Sequence, residues 1–242
     1  GVYFSGIGSL PNNFLMTEDS QISGCSSRLC GGAVMAAVKH PDDKLSILGR
    51  ALITHNTAAH GAGIYLRSFE KRAGSILTVS DSAAITDNIA LGCGGGINFS
   101  GFREDAEIPS SLTVSGNVRI SGNASAYGGG IYFFGCSEED QLDIEKDSVL
   151  SENSAKENGG GLCLVSQTGA SVTVNECSIS KNKADGQGGG ISLTNRSSKK
   201  SVRLALMNSD IKGNRAASCV GGIVFRAGRG EFSFHLSDSR IF

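Results

Sequence analysis

Asn88-Ile89-Ala90-Leu91-Gly92-Cys93-Gly94-Gly95-Gly96-Ile97 is the stretch that decides the fold. An asparagine is followed two positions later by a small residue, then by a run of glycines that opens onto an aliphatic. The phrase returns as Asn56-Thr57-Ala58 with Gly61-Ala62-Gly63-Ile64, and as Asn123 with Gly128-Gly129-Gly130-Ile131. It returns again as Asn153 with Gly159-Gly160-Gly161-Leu162, Asn182 with Gly188-Gly189-Gly190-Ile191, and Asn214 with Gly221-Gly222-Ile223. A degenerate copy has Cys25 in the asparagine slot and Gly31-Gly32-Ala33-Val34 after it. The six intervals from Cys25 to Asn214 average 31.5 residues. A period of this size is that of a solenoid, in which each coil buries its apolar face only by stacking on the next.

Between the phrases the apolar residues alternate. Leu77 and Val79, Leu112 and Val114, Leu142 and Ile144, and Val172 and Val174 sit two apart, as on a strand with one buried face. A second stretch ends three residues before each asparagine, at Ile53, Ile85, Ile120, Leu150, Ile179 and Ile211. Two residues earlier the slot is small: Ala51, Ala83, Val118, Ser148, Cys177 and Ser209. A third stretch follows the glycines, as in Ile97 with Phe99 and Ile131 with Phe133. Each coil therefore supplies three short strands, and no segment keeps a helical period long enough for a helix. Three such strands per coil specify an all-β fold, a parallel β-helix in which corresponding strands of successive coils pair. The 242 residues make about seven to eight coils in a single solenoid spanning residues 1–242. The asparagines Asn56, Asn88, Asn123, Asn153, Asn182 and Asn214 are expected to stack as a column of side-chain amides at a turn, because asparagine tolerates the left-handed backbone and its amide bonds both ways. Gly1 to Gly6 reads as a third strand that should pair beneath Val34, and Phe232 to Phe242 as a first and second strand. Because the repeat is cut at both termini, the chain is expected to be a segment of a longer protein whose ends meet other polypeptide.

The phrase Ile-x-x-Asn-x-Ala followed by Gly-Gly-Gly-Ile resembles the repeat of the polymorphic outer membrane protein family, which pairs Phe-x-x-Asn with Gly-Gly-Ala-Ile/Leu/Val. The resemblance runs from Gly1 to about Phe225. It implies a right-handed parallel β-helix displayed at a cell surface, often with an adhesive role. The chain departs from the family pattern in that only Gly31-Gly32-Ala33-Val34 has the Gly-Gly-Ala form, and the phenylalanine slot holds Ile or Leu. No aromatic-terminated membrane barrel follows within these residues.

Catalytic chemistry finds little foothold. A glycosidase needs two carboxylates facing one groove, yet the outward slots of the first strands hold Ser46, Thr78, Thr113, Asp143, Thr173 and Arg203, with one acid among them. His40, His55, His60 and His235 are scattered, and no Cys or carboxylate completes a zinc-like spacing. The triple glycines lead into strands and lack the Lys-Ser/Thr of a phosphate loop. No cofactor, metal or catalytic residue is assigned. Cys25 and Cys30, five apart across one turn, are the candidate disulfide. Cys177, in the small inward slot, should be a buried free thiol, and Cys163, in the outward slot shared with Tyr65, Asn98, Tyr132 and Ser192, should be exposed. Of three glycosylation triplets, at Asn98, Asn123 and Asn195, the last opens a polar loop and is the candidate acceptor.

Net charge is −1, but charge is unevenly placed along the axis. Glu104, Asp105, Glu107, Glu138, Glu139 and Asp140 form an acidic block in the loops after the third strand. Arg196, Lys199, Lys200, Arg226 and Arg229 form a basic block farther along. These loops vary in length and charge while the core slots repeat, so they are the expected interaction edge. The leading reading is a non-enzymatic extracellular or cell-surface rod. Its partners would be other protein chains or copies of itself, met laterally or end to end through opposite charge. Glycans are the second expected partner class, through a carbohydrate-binding or carbohydrate-active alternative. Aromatics do not interleave with the basic residues, so nucleic acid is not expected, and no apolar run is long enough to insert as a membrane helix.

Overall fold

The computed structural model describes residues 1–6, 10–101, 107–228 and 230–242, and its regular elements are all strands. They stack into four parallel sheets, three of eight strands and one of six. One coil shows the course of the chain. Ser111–Ser115 belongs to the first sheet, Arg119–Ser121 to the second, Ala124–Tyr127 to a corner sheet, and Ile131–Gly135 to the third. Every pairing is parallel and joins equivalent repeat positions. Leu112 faces Leu77 and Leu142, Ile120 faces Ile85 and Leu150, and Phe133 faces Phe99 and Leu164. Val2–Ser5 pairs with Val34–Ala37, and Phe232–Ser237 with Val202–Met207, in the register read from the repeat.

The corner sheet is a fourth element beyond the three strands expected. It is formed by the residues just after each asparagine, Thr57–Ala58, Ile89–Ala90 and their equivalents. At two residues in four of the six coils, and four or five in the others, such strands are too short for any sequence period to reveal. They pair because the coil below presents the same backbone in register. Ala58, Ala62 and Ala90 make a small apolar cluster separate from the main core. The corner is thus a thin lobe, which explains why its inward positions, Ala58, Ala90, Ser125, Ala155 and Ala184, are small. At Gly128, φ is +63°, and a side chain on Gly129 would collide with the carbonyl oxygens of Ser154 and Gly160 in the next coil.

The main core is a set of aliphatic ladders. Leu77, Leu112, Leu142 and Val172 are fully buried, as are Ile85, Ile120, Leu150 and Ile179. Phe99 and Phe133 stack face to face with centroids 4.9 Å apart. Each buried Leu, Ile or Phe contributes about 1.5–3 kcal/mol by leaving water.

The asparagines form the predicted column. Asn123 Oδ1 accepts bonds of 3.0 Å from both the backbone N–H and Nδ2 of Asn88. Asn123 Nδ2 donates to Asn153 Oδ1 at 3.0 Å and to the Ile85 carbonyl at 2.9 Å. The pattern runs from Asn56 to Asn214, and the backbone N–H of Cys25 joins its lower end through Asn56 Oδ1. The backbone reason differs from the one expected. The left-handed residue is the one before each asparagine: His55, Asp87, Gly122, Glu152, Lys181 and Gly213 have φ between 55° and 68°. The asparagine keeps ordinary backbone angles because both ends of its amide are committed to neighbouring coils.

Candidate functional site

Two surfaces rise from this frame: the loop edge anticipated from sequence, and a groove that was not. The loop edge links the third sheet to the first. Of its expected residues, Glu104, Asp105 and Arg229 lie outside the described residues. Glu107, Glu138, Glu139, Arg196, Lys199, Lys200 and Arg226 are exposed. The acidic and basic blocks meet within the chain. Lys200 Nζ pairs with Glu138, and Glu107 with Lys71 at 3.3 Å and Arg72 at 3.0 Å. The two arginine and lysine bonds hold the Glu107 carboxyl below its ordinary pKa. Glu138, Glu139, Lys199 and Lys200 line one open cleft of about 730 Å³.

Two residues assigned to this edge prove structural. Asp140 is buried, 1% exposed, and its carboxylate accepts bonds from the N–H groups of Cys136 at 2.6 Å, Ser137 at 2.9 Å and Ser110 at 2.7 Å. It closes its own loop and ties it to the preceding coil, so it is not a contact residue. Asp43, in the same repeat slot, does the same with Lys39, His40 and Asn12. Asn195 is fully buried inside strand Ile191–Asn195. Its Oδ1 accepts from the Ser197 N–H, and its Nδ2 donates to the carbonyls of Lys200 and Glu231, each at 2.9 Å. With both donor positions engaged and no access to solvent, it is not a glycan acceptor in the folded chain. The sequence signal for both was their position: each occupies a repeat slot at a strand boundary, next to the core.

The cysteines also differ from expectation. Cys25 and Cys30 are free. The Cys25 thiol meets the Ser23 carbonyl and the N-terminal amine, whereas the Cys30 thiol is hydrogen-bonded to the Tyr65 hydroxyl, so the two face different partners. Cys177 is the buried thiol expected, bonded to the Asn175 carbonyl at 3.0 Å and pushed up to a pKa of about 12 by burial. Cys163 is 2% exposed, not the open thiol expected, and burial pushes it too up to about 12.

Cys163 is covered because the outer face of the third sheet is the floor of a groove. On one side stand residues before the glycine corner, His60, Cys93, Tyr127 and Asn158; on the other stand Gln167 and Arg196 of the loop edge. Two adjoining hollows of about 350 and 400 Å³ share Arg196. Desolvation is the main reason that Cys93 is raised to about 11 and Tyr65 above its usual value. The floor carries two rows of outward side chains: Tyr65, Asn98, Tyr132, Cys163 and Ser192 in one, and Arg67, Ser100, Phe134, Val165, Thr194 and Arg226 in the other. Arg67 bonds to the Tyr65 phenol, lies 5.0 Å from the Phe69 ring centroid, and leaves its Nε buried without a hydrogen-bond partner. Outward alternation along each strand was legible in sequence. The concavity was not, because it depends on the corner lobe that the short fourth strands build. Among the described residues no cluster of His, Cys, Asp and Glu could hold a metal ion.

Residues 176–194 match the model of the Chlamydia polymorphic membrane protein (Chlamydia_PMP) repeat. The match covers the part of one coil that contains Asn182 and Gly188-Gly189-Gly190-Ile191. Over those residues, the match and the solenoid together fit a repeat of the polymorphic-membrane-protein type. No curated protein and no solved structure shows significant similarity to the chain.

Proposed function

We propose that the chain is a rigid, non-enzymatic rod at a cell surface, which presents its loop edge and groove for adhesion or assembly. The observation that carries this is the division of labour within each coil. Core ladders and the asparagine column repeat from coil to coil, whereas the connections on one side vary in length, charge and closing device. Constant parts supply stiffness, and variable parts on the surface supply specificity. The repeat type supports the cell-surface placement, through its description as a membrane-protein repeat.

Cross-coil pairs such as Lys200 with Glu138 already neutralise part of the loop edge. Contact with protein chains or further copies of this one therefore falls to Arg196, Lys199 and Arg226, which have no acid partner among the described residues. Beads coated with the chain should adhere to cells or to one another, and the adhesion should weaken as salt shortens screening to about 3 Å near 1 M. A chain that adheres to neither would defeat the reading. The carbohydrate-binding reading is the second, and the groove is the observation that favours it.

A further inference from the structure

Among the described residues, the groove on the third sheet carries arginines and no acid. Arg67 and Arg226 occupy the same repeat slot, joined in register through Ser100, Phe134, Val165 and Thr194. Five coils separate them, about 24 Å at roughly 4.8 Å per coil. Arg196 stands between, where the two hollows meet. The hollows have no Asp or Glu in their lining, and none of the three guanidiniums pairs with a carboxylate among the described residues. Some arginines elsewhere do find acids, Arg50 with Asp19, Arg72 with Glu107 and Arg240 with Asp210. The Nε of Arg67 is buried without a hydrogen-bond partner, so this guanidinium is not fully satisfied within the chain.

We infer that this groove is a binding site for an extended acidic polysaccharide, lying along the solenoid axis. The inference rests on the surface-adhesive reading and names the ligand class of its concave face. Carboxylate or sulfate groups would meet the guanidiniums, which accept such groups in two parallel hydrogen bonds. Sugar hydroxyls would meet the half-buried Ser100 and Thr194, and an apolar sugar face would meet the half-buried ring of Phe134. An acidic peptide fits less well. Peptides gain most from backbone pairing at a free strand edge, and the groove floor from Ile64–Ser68 to Ile191–Asn195 is a continuous sheet whose strands are paired on both sides, with only the strand of Arg226, Ile223–Ala227, at an edge. A ligand running along the axis crosses those strands and meets side chains only.

The test is binding of the whole chain to polygalacturonate and chondroitin sulfate, with neutral dextran and poly-glutamate as comparisons, read by calorimetry. The acidic polysaccharides should bind. Fragments too short to span from Arg67 to Arg226 should bind about tenfold more weakly, because they lose simultaneous engagement. Neutralising Arg67, Arg196 and Arg226 together to Gln should cost about tenfold or more. Neutralising Lys199, Lys200 and Arg203 to Gln, an equal loss of charge outside the groove, should change affinity by no more than about twofold. Should the groove variant fold poorly, phenylglyoxal footprinting of the unaltered chain gives the same answer: bound polygalacturonate should protect Arg67, Arg196 and Arg226. Equal losses in both variants, equal binding of dextran or poly-glutamate, absence of polysaccharide binding, or unprotected arginines would each overturn the site. Absence of polysaccharide binding by a chain whose beads still adhere would overturn this site and leave the adhesive reading standing. Tight polygalacturonate binding by a chain that adheres to no surface would do the reverse.

Discussion

The asparagine corner and the loop edge are both rows of turns on one solenoid, and they close in opposite ways. At the corner every coil uses the coil next to it. Each amide bonds to the amides above and below, and the backbone N–H and carbonyl groups of the turn are satisfied in the same column. At the loop edge the fastenings are made mainly within one coil. Asp43 and Asp140 gather N–H groups of their own loops plus one from Asn12 or Ser110 of the preceding coil, Ser166 bridges to Gly169, and Asn195 spans Ser197 to Lys200 and reaches Glu231. A turn templated by its neighbour must keep one length and one residue type. A turn that fastens itself is free to vary, which is why the variable surface lies on that side.

The sharpest way to break this contrast is to remove one rung of the column. Asn153→Ala should cost about 3 kcal/mol in urea unfolding, since it strands donors and acceptors on Asn123, Asn182 and Ile120. Asn214→Ala, in a partly exposed coil with fewer such bonds, should cost about half as much. Equal costs would mean that the column does not act as a stack.

A self-fastened loop should fail locally. Asp140→Ala should cost about 2 kcal/mol, because three backbone N–H groups lose a buried acceptor. Hydrogen exchange should rise around Cys136 to Asp140 and leave the asparagine column protected. Asn195→Ala should cost about 1–2 kcal/mol by the same reasoning. Chain secreted from a glycosylating host should carry no glycan at Asn195, as measured by peptide mass.

The two aspartate clamps also sharpen the contrast by pH. Burial alone would raise Asp43, but its bonds from His40, Lys39 and Asn12 outweigh this and hold it below 3.8. Its stability contribution is therefore present above 3.8 and lost as pH falls through the folded value. For Asp140 burial outweighs the bonds from Ser110, Ser137 and Cys136, so its pKa lies above 3.8. Its contribution runs the other way, present below 3.8 and lost as pH rises through the folded value. Unfolding of Asp43→Asn and Asp140→Asn across the acid range should show opposite changes in slope. The smallest effect belongs to the exposed pair: Lys200→Gln should change stability by under about 1 kcal/mol.

The same contrast explains what could be read in advance. The corner was legible because stacking forces every coil to repeat one residue, so Asn56 through Asn214 announced themselves by register. Asp140 and Asn195 were misread because a loop that fastens itself uses a polar residue once, and a single polar residue in a polar loop looks like any exposed one. Burial distinguishes them, and burial depends on which backbone groups the loop folds over. Cys163 was misplaced for a related reason: its outward direction was correct, but whether outward means exposed depends on what stands beside the sheet.

By itself the sequence determined a parallel β-solenoid with its period, register, core ladders and asparagine column, because each of these depends on one coil meeting an identical neighbour. Only the tertiary structure decided the corner lobe, the concavity it creates, the pairing of acid with base across coils, and which loop residues are clamps. Those features arise where unlike parts of different coils come together. No periodic signal records such meetings, since the residues involved occur once each and gain their roles only from the backbone that closes around them.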